Sequence, residues 1–477
     1  MKRIITVCEY DSIPKDYDKV CNNKRICVSP SFKESSDLLD EKKAWDVLFD
    51  ELSEFVLKEK PENDTDDDPK YFFRFGQEQK TVVIKALNYV GLVQLKSGSQ
   101  IQILPKIDYD DETSEISNDY PKTKRMLLTM LDSLINFNCK HLNVGALDTN
   151  KLNLFEFFIR LFAFQVEEIV RKGIKSSYIN LEDNVPYYKG KLLVSQHIRY
   201  NLTHAERFYV SYDEFNVNRP ENCLLKAALI YLLLISTDIS NKKKLHQLLM
   251  QFELVEPSVN YQADFAKIII DRTTQAYEKP LNWAEVFLLG KSFISFAGKT
   301  EATSLLFPME KLFEAYIAKM ARFYLHDCNV TVQKENNIHS LFNRRGDDDK
   351  EKQTFGLQPD IVLNWEDENR TVIVDTKWKR LKKDASKNYG ISQADMYQMY
   401  AYSKEYQTPY VCLVYPMTAE FKDKNNPHNT IIANYKNILV GNKPNEYPNV
   451  HVYVLMVDLS NDDGVIDLFN DISQRIK

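Results

Sequence analysis

Two β-type runs in the last third of the chain, LQPDIVLNW (357–365) and RTVIVDTKW (370–378), stand only four residues apart. A connection that short, Glu366-Asp367-Glu368-Asn369, suits an antiparallel hairpin. Pairing Trp365 with Arg370 sets the register, and stepping back along both strands brings Asp360 opposite Asp375, with their Cβ atoms about 5 Å apart. Two carboxylates that close repel unless one takes up a proton or a cation lies between them. A hard divalent ion with oxygen ligands is the economical answer, and magnesium is the usual one. Side chains alternate along a strand, so Lys377 is expected on the face of Asp375 and Thr376 on the other. An ammonium beside a metal-bound carboxylate pair suits phosphodiester hydrolysis, in which the metal acidifies a water and the cation steadies the developing charge.

The flanking segments add to this constellation. A helix over about 306–324 carries FPMEKLFEAYIAKMARFY, with Met309, Leu312, Phe313 and Tyr316 toward a core. Its Glu310 and Glu314 lie one turn apart, and Glu314 would supply a third carboxylate if the helix packs on the hairpin. Downstream, SQADMYQMYAYSKEY (392–406) reads as a helix with Gln398 and Tyr402 on one face, able to orient a nucleophile or touch a DNA backbone. Between them Lys377, Lys379, Arg380, Lys382, Lys383 and Lys387 form the densest basic run of the sequence. Solvated surface is the commoner explanation of such a run. Beside a phosphodiesterase-like site, Lys379, Arg380, Lys382, Lys383 and Tyr402 become candidates for gripping DNA.

The rest of the chain reads as scaffold. Its 477 residues exceed one ordinary core and predict three domains. Residues 1–79 have no assignable role, 80–300 form a β-meander followed by helices, and 301–477 hold the hairpin. The fold class expected is a multidomain α+β/α/β chain: a β-rich N-terminal region, a helical middle and a C-terminal mixed sheet flanked by helices. The meander comprises TVVIKAL, YVGLVQL and SQIQILPKI within 80–107. Segment 36–60 has amphipathic spacing, whereas 152–174 and 221–236 are apolar enough to be buried helices but too short to span a membrane. The acidic stretches 61–69 and 108–119 read as loops.

Segments 187–201 and 210–222 suggest a loop or ribbon. Their His197, Arg199, Asp213, Glu214 and Asn222 are better explained by turns and salt bridges than by chemistry. FAGKT at 296–300 lacks the first glycine of a phosphate-binding loop, because position 293 is Phe293. The seven cysteines are scattered without a C-x-x-C pair, which disfavours structural zinc and a disulfide framework. The N-terminus lacks an uninterrupted apolar signal core, and a cytoplasmic location is expected. With a formal net charge of −6 the whole-molecule field does not draw nucleic acid, so any DNA contact must be local.

The spacing of PD at 359–360, DTK at 375–377 and Gln398-Met-Tyr-Ala-Tyr402 resembles the PD-(D/E)xK nuclease superfamily. More narrowly, the company of YVGLVQLKSGSQIQILPKI (89–107), YYKGKLLVSQHIRYN (187–201) and YDEFNVNRPENCLLKAAL (212–229) resembles the McrC subunit family of McrBC-type restriction systems, over roughly 80–460. The resemblance implies an endonuclease core with Asp360 and Asp375 as the catalytic, magnesium-binding pair, Lys377 as catalytic lysine and Gln398 as motif glutamine. It also implies a partner, an McrB-like hexameric AAA+ motor that binds GTP and DNA and is stimulated by this chain through residues 80–300. The alternative reading is a regulatory subunit that mainly activates that motor, with weak or absent cleavage.

Overall fold

The computed structural model describes residues 3–23, 25–29, 38–58, 72–106, 120–134, 153–289, 303–332, 340–345, 351–422, 428–436, 449–461 and 463–476. The acidic stretches 61–69 and 108–119 and FAGKT lie outside the described residues.

The N-terminal part contains β1 (Ile4–Cys8), β2 (Ser12–Pro14), α1 (Tyr17–Cys21), β3 (Cys27–Val28), α2 (Leu38–Lys58), β4 (Phe73–Glu78), β5 (Thr81–Ala86), β6 (Tyr89–Gln94), β7 (Gln100–Leu104) and α3 (Tyr120–Leu134). Helix α2 buries Trp45, Leu48, Phe49, Leu52, Phe55 and Val56, the i, i+3, i+4, i+7 stripe expected from its sequence. That stripe packs against Ile5, Val7, Ile101, Ile103 and Leu306 in one core.

The helical middle runs α4 (Leu154–Lys172), β8 (Ser177–Val185), β9 (Lys191–Leu192), α5 (Val194–Asn201), β10 (Phe208–Asn216), α6 (Pro220–Ile235), α7 (Ile239–Gln251), α8 (Tyr261–Ala266) and α9 (Gln275–Leu289). Asn153 caps α4 by accepting from the Phe155 N–H, and its amide exchanges hydrogen bonds with Gln100 and Gln102 of β7, fastening the helical core to the first sheet. Strands β8 and β10 pair antiparallel over nine residues, with β9 on the other side of β10, so the segment is a ribbon. The polar residues noted there do structural work. The Asn222 amide donates to the Lys175 and Val217 carbonyls, Asp213 accepts from Asn180, and Nδ1 of His197 contacts Asn201 and the Tyr209 N–H.

The last part contains β11 (Thr303–Pro308), α10 (Met309–Tyr324), β12 (Asn329–Val332), β13 (Ser340–Arg345), β14 (Glu351–Gly356), β15 (Ile361–Trp365), β16 (Arg370–Thr376), α11 (Gln393–Glu405), β17 (Tyr410–Pro416), β18 (Ile431–Lys436), β19 (His451–Val457) and α12 (Asp463–Gln474). Six strands form a mixed sheet in the order β12-β15-β16-β17-β19-β18, with β16, β17 and β19 parallel. Alternating residues of its inner strands divide between two cores. Val372, Val374 and Val414 join the large core that includes α10 and α12, whereas Ile373, Val411 and Leu413 join the one that includes Met399 and Tyr402 of α11. Among the described residues no helix is long and apolar enough to cross a membrane.

One expectation needs correction. The three β-runs of 80–107 do not make one meander: β6 pairs with β7, but β5 belongs to a separate sheet with β2 and β4. The reason is that β11 occupies the other edge of β6. Strand pairing also runs across positions 79/80 and 300/301. Strand β1 lies parallel to β7, and β11 completes the same five-stranded sheet, ordered β11-β6-β7-β1-β3. Residues from all three expected domains therefore share one ladder.

Gly91 makes the β6–β11 approach possible. It has φ +134, and a Cβ there would lie 1.9 Å from the Leu305 carbonyl oxygen. Gly91→Ala is therefore expected to lower stability by roughly 2–5 kcal/mol, as backbone strain and overpacking add. An unchanged denaturant midpoint would show that this approach is not needed.

Candidate active site

Strands β15 and β16 pair as their sequence requires, from Trp365↔Arg370 to Ile361↔Val374. Asp360 stands one residue before β15, so it lies at the end of the ladder next to Asp375 of β16. Because Asp360 is outside the paired strand, its carboxylate reaches across the chain end. Oδ2 accepts from both the backbone N–H and the hydroxyl of Thr376, each at 2.7 Å. Thr376 was expected to turn away; instead it holds Asp360 in place.

Asp375 is only 2% exposed, and Lys377 Nζ lies 2.7 Å from its Oδ2. That contact is an ion pair lacking the angles of an aligned hydrogen bond, since this sealed oxygen has no such partner. Burial pushes the Asp375 carboxyl up to about 7; the neighbouring Asp360 charge pushes the same way, Lys377 opposes, and Asp395 adds a further upward push. Burial alone would lower the Lys377 pKa, but Asp375, Asp360 and Asp395 outweigh it and raise it above the usual lysine value. Lys377 therefore stays an ammonium.

Helix α11 positions that ammonium. Ser392 caps the helix by accepting from the Asp395 N–H, and Gln398 Oε1 accepts from Lys377 Nζ at 3.3 Å. The Gln398 amide donates to the Tyr402 hydroxyl at 2.7 Å, which donates in turn to the Gln358 carbonyl at 3.0 Å. A chain of hydrogen bonds thus runs from Lys377 through α11 to the residue two before Asp360. Tyr402 is 2% exposed, with its phenol pKa raised first by burial and then by Asp375. Its phenol lies within the core, between the Gln398 amide and the Gln358 carbonyl.

The structure brings together Asp360, Asp375, Lys377 and Gln398. Glu314 is not drawn in: α10 does pack against β16, but Glu314 pairs with Lys311 at 2.7 Å, one turn away on its own helix. Among the described residues no group of three or more Asp, Glu, His or Cys side chains is placed to hold a metal ion. In the basic run, Lys379 donates to the Gly390 carbonyl and Lys383 to the Glu420 carbonyl, while Lys382 is exposed. Arg380 is half-buried and partnered. Two contributors were missed in the sequence, Thr376 and Asp395. Asp395 was available to inspection, because it precedes Gln398 by three and so shares its helix face.

The sequence profile of the "McrBC 5-methylcytosine restriction system component" family matches residues 84–416. Among solved structures, the chain is similar to one in the refined half-complex from the tetradecameric assembly of Thermococcus gammatolerans McrB AAA+ hexamers with bound McrC. The two share 19% identity at a TM-score of 0.60, over 98% of this chain and 99% of that one. A second similar chain, from the cryo-EM structure of the Thermococcus gammatolerans McrBC complex, has 21% identity and a TM-score of 0.44 over 68% of this chain and 88% of that one. No curated protein matches. With the profile spanning well over half of the chain, this protein belongs to the McrBC 5-methylcytosine restriction system component family.

Proposed function

We propose that this chain is the endonuclease subunit of a GTP-dependent, McrBC-like restriction system, with a PD-(D/E)xK site that hydrolyses DNA phosphodiester bonds using Mg²⁺. Its partner is an AAA+ GTPase that it binds and stimulates. The observation that carries the reading is the meeting of Asp360, Asp375 and Lys377 at the end of the β15–β16 ladder.

The donor set fits a hard divalent cation. Asp375 is a buried carboxylate with one oxygen lacking an aligned hydrogen-bond donor, held close to a second carboxylate that raises its pKa. Asp360 and Asp375 would hold the ion. With two carboxylates rather than three, its remaining positions suit water and substrate phosphate, as Mg²⁺ prefers. Bound there, Mg²⁺ lowers the pKa of a coordinated water and polarises the phosphoryl group.

The chain's own residues supply the rest. Thr376 fixes Asp360 through its Oδ2, leaving the other oxygen for a ligand. Lys377, kept protonated by the surrounding carboxylates, offers positive charge to the oxygens of the reacting phosphate. Gln398 and Tyr402 hold that ammonium in place.

The partner reading draws on family membership and on the similar chain, which is McrC bound to McrB AAA+ hexamers. Within residues 80–300 the β8–β10 ribbon carries Tyr178 and Phe215, rings 5.1 Å apart and 74% and 62% exposed. Exposed aromatic pairs of this kind are surfaces that partners cover.

Three outcomes test these readings. With Mg²⁺, GTP and the motor, Asp375→Ala and Lys377→Ala are each expected to cut plasmid DNA about 10²–10³-fold more slowly, the usual cost of removing a group that stabilises transition-state charge. GTP hydrolysis by the motor should remain stimulated. Undiminished cutting by Asp375→Ala would remove the site. Tyr178→Ser with Phe215→Ser should weaken stimulation of GTP hydrolysis while leaving the melting temperature unchanged; full stimulation would move the contact elsewhere.

The third outcome concerns pH in the metal-free protein. The folded pKa of Asp375 is raised above its unfolded value, so the native state binds more protons in between. Its contribution to stability is fully present below about 4, the unfolded carboxylate value, and is lost as pH rises through about 7. Chemical denaturation should show wild type losing stability across that window relative to Asp375→Asn. Added Mg²⁺ should recover more at pH 8 than at pH 5. Parallel profiles for the two proteins would contradict the burial argument.

A further inference from the structure

We propose that Glu9 is a positioning residue of the nuclease site, acting through Trp378 on Lys377 and so tying the N-terminal sheet to the catalytic lysine. The inference rests on the nuclease reading of Asp360, Asp375 and Lys377. Glu9 follows β1, in the sheet that also contains β6, β7 and β11, and is 1% exposed. Its Oε1 accepts from the indole Nε1 of Trp378 at 2.8 Å and from the Lys106 backbone N–H at 2.9 Å. The bond to Trp378 joins residues 369 apart in sequence and crosses from the first sheet to the end of β16.

Trp378 is the residue next to Lys377. On one side of Lys377 the backbone is fixed by its own N–H donating to Val414 of β17, and on the other the chain turns at once, with the Lys379 N–H donating back to the Lys377 carbonyl. Past that turn the strand pairing ends, and Trp378, the residue next to Lys377, is the nearest side chain that anchors the exit. The indole is held from two directions, by the Glu9 carboxyl and by Phe313 of α10, whose ring centroid lies 5.3 Å away in an edge contact. A fixed exit fixes the direction in which Lys377 leaves the backbone, and its ammonium must reach both Asp375 and Gln398.

A carboxyl is an expensive choice for a merely structural acceptor. Oε2 of Glu9 is sealed from solvent and has no hydrogen-bond partner. Burial pushes the Glu9 carboxyl up to about 7 despite the Lys106 and Trp378 hydrogen bonds and the Lys106 charge, with Glu310 of α10 adding to the rise. A glutamine would satisfy both N–H groups without a buried charge. What the carboxylate adds is a stronger, charge-assisted hydrogen bond to the indole.

The test reads Lys377 directly. Full-length wild type, Glu9→Leu, Trp378→Phe and Glu9→Gln are briefly treated with acetic anhydride, and acylation of each lysine is measured by peptide mass spectrometry. Magnesium-dependent DNA cleavage with the motor is measured alongside. A lysine freed from its carboxylate is more often neutral and reacts faster. Glu9→Leu and Trp378→Phe are expected to raise Lys377 acylation and lower kcat, each on the order of tenfold as for outer groups that orient a metal-site ligand. KM for DNA and the labelling of Lys382 and Lys404 should be unchanged. Glu9→Gln, whose side-chain carbonyl still accepts both bonds, should lie between wild type and Glu9→Leu.

Unchanged Lys377 labelling in Trp378→Phe overturns the proposal, and so does an equal rise at all lysines, which would report a looser fold. Should Glu9→Leu fail to fold, Trp378→Phe removes the donor while keeping an aromatic ring against Phe313, and decides alone. If wild type does not cut DNA, the nuclease reading falls while the labelling still decides whether Glu9 positions Lys377.

Discussion

The ion pair between Lys377 and Asp375 is where the demands of the C-terminal sheet meet. Asp375 lies on a strand bordered by β15 on one side and β17 on the other, and it is nearly sealed from water. A carboxylate in that position is costly unless a cation attends it. The sheet supplies the cation two residues later on the same face, and α11 then holds it with Gln398. Strand register, helix placement and the position of the ammonium are therefore parts of one electrostatic requirement. A one-residue slip of β16 would carry Asp375 into the opposite core, against Leu363, Cys412 and Val414 of the neighbouring strands.

The local balance nevertheless stays negative. Asp360, Asp375 and Asp395 act together on Lys377, so three carboxylates face one ammonium. The carboxylates are kept from collapsing onto protein donors in different ways: Thr376 occupies only one oxygen of Asp360, and Asp375 keeps an oxygen without an aligned donor. Lys377 lies 2.7 Å from that Asp375 oxygen, so one ammonium answers the negative charge of the cluster without matching it.

Much of this was legible because it is local. Four residues between two β-runs fix a register, and the register carries Asp360 to Asp375 whatever the rest of the chain does. The Gln398–Tyr402 spacing is equally local, as is the stripe of α2. What could not be read depends on distant partners. Nothing in TVVIKAL reveals that β11, some two hundred residues later, takes the edge of β6 and leaves β5 to another sheet. The pairing of Glu314 with Lys311 on its own helix depends on side-chain direction, which helical spacing alone does not give. Thr376 was misread because strand alternation was extended past the end of the ladder, where Asp360 is no longer paired and can reach a backbone N–H.

The contrast between local and global charge bears on how a polyanion could approach such a site. The chain is acidic overall, at −6, and the cluster around Lys377 is acidic too. Attraction must therefore come from the basic run that follows Lys377. Lys379 and Lys383 are engaged with the carbonyls of Gly390 and Glu420, yet a carbonyl orients an ammonium without cancelling its charge. With a screening length of roughly 8 Å at physiological salt, these cations are felt only by a strand already at the surface. A chain built this way gains little from long-range steering. On the proposed nuclease reading, DNA is better delivered by a partner than drawn in by this field.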